Sequence, residues 1–284
     1  MGKRRLDALL AERGLFSSRS RAAASVMAGE VRVGVAERRA SKPGELVDVE
    51  ERVSVDERPA FVSRGGVKLA NALDAWSFDV GGRRALDVGA STGGFSDCLL
   101  QRGARDVIAV DVGYGSLAWS LRSDPRVVVM ERVNARELTS ELLPHAPDLA
   151  VVDVSFISLA KVLGAVLSVL APGYDVLAMI KPQFEVGRGR VGKGGVVRDA
   201  GERRDALVAV GESALALGAA VLGYRSSGLA GPKGNRETFV WLSDPQSAGA
   251  SARPREAILP PPGSGEGSDD TRARLLRLAR EVEP

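Results

Sequence analysis

The sequence is poor in the residues that carry metal, redox and disulfide chemistry. Its 284 residues include one cysteine, Cys98, and one histidine, His145. A single cysteine excludes an intramolecular disulfide, and one cysteine with one histidine cannot supply the four ligands of a structural zinc site. We therefore expect no metal, no disulfide partner and a reducing, cytoplasmic location.

Long apolar runs are also missing. The apolar segments at 149–154 and 162–170 are short, whereas a membrane-spanning helix needs about 18 or more apolar residues. The first residues are basic, but Asp7 and Glu12 fall where a signal peptide has its apolar stretch. The sequence predicts no signal peptide and no membrane partner. With 44% hydrophobic and 26% charged residues, it is typical of a folded globular protein.

Basic side chains are concentrated near the N-terminus. Residues 1–42 carry ten basic and four acidic side chains, a net charge of +6, whereas the whole chain has +3. Such a local excess is typical of a surface that binds phosphate groups, and a solvated charged face is the alternative. The pattern predicts a helix that ends at Gly14 and a second helix over 19–28. A β-hairpin follows, in which a strand through Val31, Val33 and Val35 returns after a turn at 42–44.

This region, with the segment RLDALLAERGLFSSRSRAAASVMAGEVRVG, resembles the RNA-binding domain first described in ribosomal small-subunit protein four. The resemblance implies a small α+β RNA-binding domain over 1–59. The amino end of its second helix, which carries Arg19 and Arg21, already favours phosphate. The basic residues expected to contact RNA in this domain are Lys3, Arg4, Arg5, Arg19 and Arg21.

Predicted strands and helices alternate from 60 to 245. The predicted strands are Ala85–Val88, Val107–Asp111, Val127–Met130, Leu149–Asp153, Val176–Ile180, Ala220–Tyr224 and Thr238–Leu242. Helices are predicted near 95–102, 116–122, 136–143, 158–170 and 200–217. The alternation predicts an α/β domain with a mostly parallel sheet, covered on both faces, whose ligands bind at the carboxyl ends of the strands. Residues 246–284, which include PPPGSGEGSDD, predict a flexible tail, with a short amphipathic helix over 271–282 as an open alternative.

A glycine-rich segment, from Asp87 to Phe95, follows the first of these strands and begins a helix. Ser91 occupies the second glycine position of a nicotinamide-binding fingerprint, where a pyrophosphate must come close, and Asp87 would repel that pyrophosphate. Asp111 ends the next strand, where an acid can hold ribose hydroxyls. A strand–turn–helix that binds nothing is the alternative.

The segment resembles the first motif of class I S-adenosylmethionine-dependent methyltransferases, in which Asp87 would favour a cationic sulfonium. The resemblance implies a Rossmann-like domain. The residues expected to bind S-adenosylmethionine are Asp87, Gly89, Ser91, Gly93, Gly94, Phe95, Asp111, Asn134 and Asp153.

Four charged side chains lie at or beside strand ends, in the segments SRGGVKL, VVDVSFISL, IKPQFE and GNRETFVW. They are Lys68, Asp153, Lys181 and Glu237. A ribose 2′-hydroxyl is a poor nucleophile whose proton must leave, and a lysine with a lowered pKa can accept that proton. Each residue alone is more ordinarily a surface or ion-paired charge. The set in this order is hard to explain by chance.

The order Lys–Asp–Lys–Glu resembles the catalytic tetrad of the FtsJ/RrmJ class of ribose 2′-O-methyltransferases. With the N-terminal module, the chain over 3–243 is similar to the TlyA family, also known as haemolysins. The resemblance implies transfer of a methyl group from S-adenosylmethionine to the 2′-hydroxyl of cytidine in ribosomal RNA of one or both subunits. We expect Lys181 to be the base or the nearest cation and Asp153 to orient it. Lys68 and Glu237 complete the network.

Further basic residues are expected to bind RNA: Arg64, Arg188, Arg190, Lys193, Lys233 and Arg236. The segment 186–198 has four basic residues and no acid, so we predict a flexible phosphate clamp over the active site. A solvent loop without a ligand is the alternative. Phe184 is placed to stack on an extruded base, and core packing is an equal alternative.

Other functions stay open at the level of sequence. A methyltransferase acting on a base or a protein is one, and a non-catalytic RNA-binding ribosome-assembly factor is another. The family's older name adds a membrane-active haemolysin. We expect a monomer or weak dimer that acts on ribosomal RNA within ribosomal subunits.

Overall fold

The fold is that of a computed structural model, which describes residues 2–56, 59–246, 259, 261 and 268–283. The chain divides into two compact units, Met1–Ala60 and Phe61–Pro284.

The first unit is a small α+β domain. Its elements are β1 (Lys3–Arg5), α1 (Leu6–Glu12), α2 (Arg19–Met27), β2 (Val31–Val33), β3 (Arg38–Arg39), β4 (Leu46–Asp48) and β5 (Val53–Val55). Apolar side chains from both helices and from the strands form one core, in which Leu6, Leu10 and Val31 are fully buried. The small α+β fold predicted for this region is confirmed.

The strand pairing of this unit differs from the predicted hairpin. β2 pairs antiparallel with β3 and with β5, while β4 pairs with β1. The backbone leaves β2 at Gly34 (φ 82°), and Glu37 N–H donates to the Gly34 carbonyl at 3.0 Å, which closes a tight turn. Val35 lies in that turn and is 85% exposed. The prediction that the turn at 42–44 joins two paired strands is therefore wrong.

The second unit is a three-layer α/β domain. Its helices in the described part of the chain are α3 (Arg64–Ala75), α4 (Gly94–Gln101), α5 (Trp119–Arg122), α6 (Leu163–Ser168), α7 (Pro182–Glu185), α8 (Ala200–Ala216) and α9 (Ser268–Val282). Its strands are β6 (Arg84–Val88), β7 (Asp106–Asp111), β8 (Val127–Glu131), β9 (Leu149–Val152), β10 (Asp175–Ile180), β11 (Ala220–Ser226) and β12 (Thr238–Ser243).

One seven-stranded sheet organises this unit, in the order β11-β12-β10-β9-β6-β7-β8. The five strands from β10 to β8 pair in parallel, and β12 pairs antiparallel with both of its neighbours. Strand side chains alternate between two apolar cores, so that Leu86 faces one core and Ala85 the other. α6, α8 and α9 cover the first core, and α3, α4 and α5 cover the second. The predicted mostly parallel sheet with helices on both faces is confirmed.

The helix predicted near 136–143 is wrong. In its place, two short 3₁₀ turns, Ala135–Glu137 and Ser140–Leu142, flank an extended segment. The extended backbone lets Leu138 and Leu143, which are 3% and 8% exposed, both enter the core. Tertiary packing therefore overrides the local helical pattern.

Part of the predicted flexible tail, 246–284, is ordered. Leu275 and Ala279 of α9 are fully buried in the core beneath α8, and Leu259 forms an isolated β-bridge with Val221. The tail prediction is corrected for these residues because the amphipathic pattern over 271–282 finds an apolar surface to cover. Most of the PPPGSGEGSDD segment lies outside the described residues.

Candidate active site

The glycine-rich segment forms a tight loop between β6 and α4. Gly89 (φ 87°) and Gly93 (φ 94°) take left-handed backbone conformations that favour glycine. A Cβ at Gly89 would lie 2.5 Å from the carbonyl oxygen of Asp153, and one at Gly93 would lie 2.2 Å from Cδ1 of Leu121. Neither position has room for a side chain, so the loop can follow the ends of β6 and β9 closely.

A cavity of about 460 Å³ opens beside this loop, at the carboxyl ends of the strands. It is called the Asp111 cavity here, and five residues predicted to bind cofactor line it: Gly89, Ser91, Asp111, Asn134 and Asp153. Asp111 fixes its shape, because its carboxylate accepts the N–H of Ser91 at 2.7 Å and the N–H of Gly113 at 2.6 Å. The volume is that of a small-molecule site.

Gly94 and Phe95 line a second cavity of about 430 Å³, the Arg64 cavity, which also contains Lys68 and Asp153. Gly93 lines neither cavity and packs against Leu121 of α5. The structure therefore distributes the nine predicted cofactor residues over two adjoining cavities and their supports.

Asp87 lies at the start of the loop and lines neither of these two cavities. Its side chain is fully buried, and the carboxylate accepts the backbone N–H of Ser96 at 2.9 Å and the Ser96 hydroxyl at 2.6 Å. Burial raises the pKa of Asp87 to about 7, against the lowering effect of the Ser96 hydrogen bonds. Asp87 anchors the first turn of α4, which corrects the expectation that it faces the ligand directly.

The four predicted catalytic residues form two ion pairs, although Lys68 lies within a helix and not at a strand end. Lys68, on α3, donates to Glu237, which precedes β12, and their side chains are 9% and 1% exposed. Lys181, which follows β10, lies 2.6 Å from the carboxylate of Asp153, which follows β9. A lysine is seldom buried in this way unless it is paired.

Both ion pairs line one further cavity, of about 430 Å³, called the Lys181 cavity here. This cavity and the Asp111 cavity share Asp153, Ser155 and Phe156 in their walls. The structure thus brings the four predicted catalytic residues together and places them next to the predicted cofactor residues.

Two wall residues were not predicted from the sequence. The hydroxyl of Ser155 accepts a hydrogen bond from Lys181 Nζ at 2.8 Å. Phe156 is 91% exposed in a left-handed conformation (φ 65°), and its ring centroid lies 5.3 Å from that of Phe184. The sequence signal that could have identified them is their position two and three residues after Asp153, beyond a strand end. Phe184 is half-buried against Phe156 and lines the Lys181 cavity.

The basic segment 186–198 is more ordered than predicted. Val186 and Val197 are buried, and Arg190 lies 3.5 Å from Glu202 and 3.7 Å from Asp205 of α8. The picture of a free clamp is therefore corrected, because the segment has its own apolar contacts and acidic partners. Arg188 lies in a 3₁₀ turn, and its side chain is outside the described part of the structure.

The other predicted RNA contacts of this unit lie around the cavities. Lys193 is exposed, and Lys233 is exposed at the wall of the Lys181 cavity. Arg64 lines the Arg64 cavity and donates to the carbonyl of Ala230 at 2.9 Å. Arg236 is largely exposed but lies 3.4 Å from the buried carboxylate of Glu283.

In the first unit, the predicted RNA-binding residues are all exposed: Lys3, Arg4, Arg5, Arg19 and Arg21. Asp7 is buried and holds Arg5 at 2.8 Å and Arg19 at 3.2 Å. The hydrogen bond from Arg5 lowers the pKa of Asp7, so this carboxylate stays charged and fixes two basic side chains. Arg21 lies at the start of α2, where its N–H is capped by the Ser18 hydroxyl at 3.2 Å.

The Rossmann-like sheet, the glycine loop and the adjoining acidic and lysine-bearing cavities define a methyltransferase. Residues 61–244 match the FtsJ-like methyltransferase family, and residues 4–53 match the S4 domain. The Mycobacterium tuberculosis TlyA protein, named as a 16S/23S rRNA (cytidine-2′-O)-methyltransferase, is 49% identical over 251 residues, which cover 88% of this chain and 93% of that protein. The chain belongs to the TlyA family of FtsJ-like methyltransferases, as its sequence motifs predicted.

Two more comparisons agree. Bacillus subtilis YqxC, described as an rRNA methyltransferase, is 44% identical over 260 residues, which cover 90% of this chain and 92% of that protein. A solved structure from Streptococcus thermophilus, described as a hemolysin, is 36% identical with a TM-score of 0.67, and the match covers 99% of this chain and 97% of that one. Among the described residues of this chain, no helix has the length and apolar character to cross a membrane.

Proposed function

We propose that this enzyme transfers a methyl group from S-adenosylmethionine to the ribose 2′-hydroxyl of cytidine in ribosomal RNA, within ribosomal subunits in the cytoplasm. The observation that carries the proposal is the junction of the Asp111 and Lys181 cavities at Asp153, where a lysine amine stands beside a cofactor-sized pocket. The activities named for the relatives from M. tuberculosis and B. subtilis support the substrate.

The Asp111 cavity suits S-adenosylmethionine. Each carboxylate oxygen of Asp111 accepts one backbone N–H and keeps a lone pair for a ribose hydroxyl. The pocket wall holds two carboxylates, Asp111 and Asp153, and one guanidinium, Arg136. Because Lys181 pairs with Asp153, Asp111 is the carboxylate that we expect to favour a cationic sulfonium and to oppose the pyrophosphate of a dinucleotide. Gly89 lets the loop pass close to the backbone of Asp153, where the Cβ of any other residue would clash. When bound, S-adenosylmethionine supplies an electrophilic methyl group.

Lys181 is the proposed base. Its Nζ is held by Asp153 and Ser155, so that the nitrogen points into the shared wall of the two cavities. In its neutral form it accepts the proton that the ribose hydroxyl loses as that oxygen becomes nucleophilic. Lys68 is the second amine in the Lys181 cavity. Held by Glu237, it places positive charge near the oxygen as the proton leaves.

The rim of the Lys181 cavity suits a single nucleotide whose base is flipped out of the RNA stack. Phe156 and Phe184 offer ring faces at its edge, and aromatic faces stabilise splayed bases in RNA complexes. Lys233 adds a cation beside them. In the first unit, the exposed arginines ordered by Asp7 suit the RNA backbone, where phosphate contacts position the substrate.

The test uses purified full-length protein, labelled S-adenosylmethionine, and small and large ribosomal subunits from a strain without this modification. We expect label on a cytidine, located by nuclease digestion and mass spectrometry of the RNA fragments. Resistance of the adjacent phosphodiester bond to alkaline hydrolysis would place the methyl group on the 2′-oxygen. Label on a base or on ribosomal protein would contradict the proposal, as would no label on either subunit. A parallel reaction with fully modified subunits is the control.

A further inference from the structure

A buried carboxylate, far in sequence from the two catalytic ion pairs, contacts arginines whose neighbours line the Lys181 cavity. Glu283 follows α9, and its side chain is only 4% exposed. Arg203 of α8 donates to this carboxylate at 2.8 Å, and Arg236 lies 3.4 Å from the same oxygen. Arg204 donates to the Glu283 carbonyl at 3.1 Å. Burying such charges has a large desolvation cost, so the cluster needs a reason other than stability.

The two arginines that contact the Glu283 carboxylate reach two different chain segments. The guanidinium of Arg203 also donates to the carbonyls of Val197, at 3.3 Å, and Arg198, at 2.6 Å, at the end of the basic segment 186–198. Arg236 directly precedes Glu237, the buried partner of Lys68. One carboxylate therefore fixes the ends of both segments.

The same two segments are joined to each other at the cavity. Asn235 accepts the N–H of Val197 at 2.9 Å and donates to the carbonyl of Gly195 at 2.8 Å. Gly195, Asn235 and Glu237 all line the Lys181 cavity. This part of the cavity wall is thus held by hydrogen bonds, and Glu283 is connected to it through Arg203 and Arg236.

We infer that Glu283 is a positioning residue, which through Arg203 and Arg236 holds the segments 195–198 and 233–237 at the spacing that the methyl acceptor requires. The expected effect on RNA methylation rests on the proposed function, whereas the effect on the wall does not. Loss of the charge is expected to loosen the wall, raise the KM for RNA and leave the cofactor pocket unchanged.

The test compares full-length Glu283→Gln with Glu212→Gln. The control removes one charge from an exposed ion pair between α8 and α9, in which Arg272 and Glu212 lie 2.5 Å apart. Hydrogen exchange of the free protein is read at 195–198 and 233–237. In Glu283→Gln we expect about tenfold faster exchange there, the effect of losing one charge-assisted hydrogen bond. In Glu212→Gln we expect no change at these amides.

Steady-state methylation of ribosomal subunits gives the second measurement. For Glu283→Gln we expect roughly a fivefold to tenfold higher KM for RNA, with kcat and cofactor affinity within about twofold of wild type. Glu283→Asp, which keeps the charge, should recover at least half of the loss.

Unchanged exchange at both segments in Glu283→Gln would overturn the inference. Equal loss of protection along the whole of α8 and α9 would also overturn it, because it would show a role in helix docking alone. If wild-type protein methylated no RNA, the proposed function would fall, and the exchange experiment would still decide the role of Glu283.

Discussion

The two units use charged residues in opposite ways. In the first unit, most of the described arginines are exposed, and several are paired with carboxylates. The hydrogen bond from Arg38 lowers the pKa of Glu45 to about 2, and Asp7 orders two further arginines. In the second unit, several charged side chains are buried. Lys68 and Glu237 are almost fully buried, and burial raises the pKa of Asp87 to about 7.

The difference teaches where binding and chemistry reside. Exposed cations in high dielectric attract a polyanion over a distance but do little to activate a hydroxyl group. Buried amines that neighbouring groups hold in a cavity can exchange a proton with a substrate hydroxyl group bound there. The first unit therefore has the electrostatics of a binding module and the second those of a catalyst. Four predictions test this division.

The largest effect is expected at Lys181. Lys181→Met removes the amine and keeps an unbranched side chain, so methyl transfer should fall by about 10³-fold, within the range for loss of a general base. Binding of S-adenosylmethionine, measured by calorimetry, should stay within about threefold because the variant leaves the Asp111 cavity intact. Single-turnover transfer to ribosomal subunits is the readout.

Lys161→Met is the matched control for that substitution. Lys161 is an exposed lysine in a 3₁₀ turn of the same unit, outside the three cavities of the site. Its loss should leave transfer within about twofold of wild type, as is usual for surface substitutions. Near-normal transfer by Lys181→Met would remove the proposed base and break the contrast between the units.

The second prediction concerns the buried pair of Lys68 and Glu237. Lys68→Met leaves the carboxylate of Glu237 buried without its partner, which should cost about 3–5 kcal/mol in the free energy of unfolding. Urea unfolding followed by tryptophan fluorescence isolates this unit, because all three tryptophans, Trp76, Trp119 and Trp241, belong to it.

The double variant Lys68→Met with Glu237→Gln should recover most of that stability and none of the activity, since it removes both charges together. Recovery of methyl transfer in the double variant would show that the pair is structural. A single variant as stable as wild type would show that the Glu237 carboxylate is not buried in solution.

The sequence was informative for residues whose neighbours are set by strand order. Lys181 and Asp153 follow adjacent parallel strands, β10 and β9, and the ends of such strands meet at one edge of a sheet. The sequence motif identified Lys68, but the helix that carries it, α3, was not predicted. Two glycines at the start of α3 hide the helix, and the structure needs one of them, because a Cβ at Gly66 would lie 2.3 Å from the Phe61 ring.

The sequence did not predict the hydrogen-bond and ion-pair partners of individual side chains. The sequence predicts that Asp87 binds the cofactor. Only the fold shows that its carboxylate accepts a hydrogen bond from the hydroxyl of Ser96. The sequence predicts a free cation at Arg190, because the segment 186–198 contains no acid. Its partners, Glu202 and Asp205, lie beyond that segment. Local composition does not reveal contacts made by a helix that follows later in the chain.

The third prediction concerns pH. The folded pKa of Asp87, about 7, lies above its ordinary value of 3.8, so the folded state binds the proton more tightly. Stability from this group is therefore full below about pH 4 and is lost as the pH rises through 7, by roughly 4 kcal/mol. Asp87→Asn should abolish that part of the pH dependence in tryptophan-detected urea unfolding between pH 5 and 8.

Glu45 supplies the opposite sign in the first unit. Its pKa falls from 4.5 to about 2, so its contribution is full above pH 4.5 and is lost as the pH falls toward 2. An identical pH dependence of wild type and Asp87→Asn would show that Asp87 is ionised in the folded state, and the contrast in carboxylate behaviour between the units would fail.

The smallest effect is expected at the surface of the first unit. Arg21→Ala should weaken binding of ribosomal RNA by about threefold to tenfold and reduce the slope of log affinity against log salt by roughly 0.7–0.9, as for the loss of one phosphate contact. The turnover number at saturating RNA should not change, because Arg21 belongs to the binding unit. Fluorescence anisotropy across a salt series and steady-state methylation separate the two quantities.

Arg52→Ala is the matched control, since Arg52 is a similarly exposed arginine of the same unit, 67% accessible and 3.8 Å from Glu37. Equal loss from both variants would mean that only net charge attracts RNA, and that α2 presents no particular surface. A lower turnover number for Arg21→Ala at saturating RNA would be more serious. It would show that the first unit also orients the nucleotide for chemistry, so that binding and catalysis are not divided between the units.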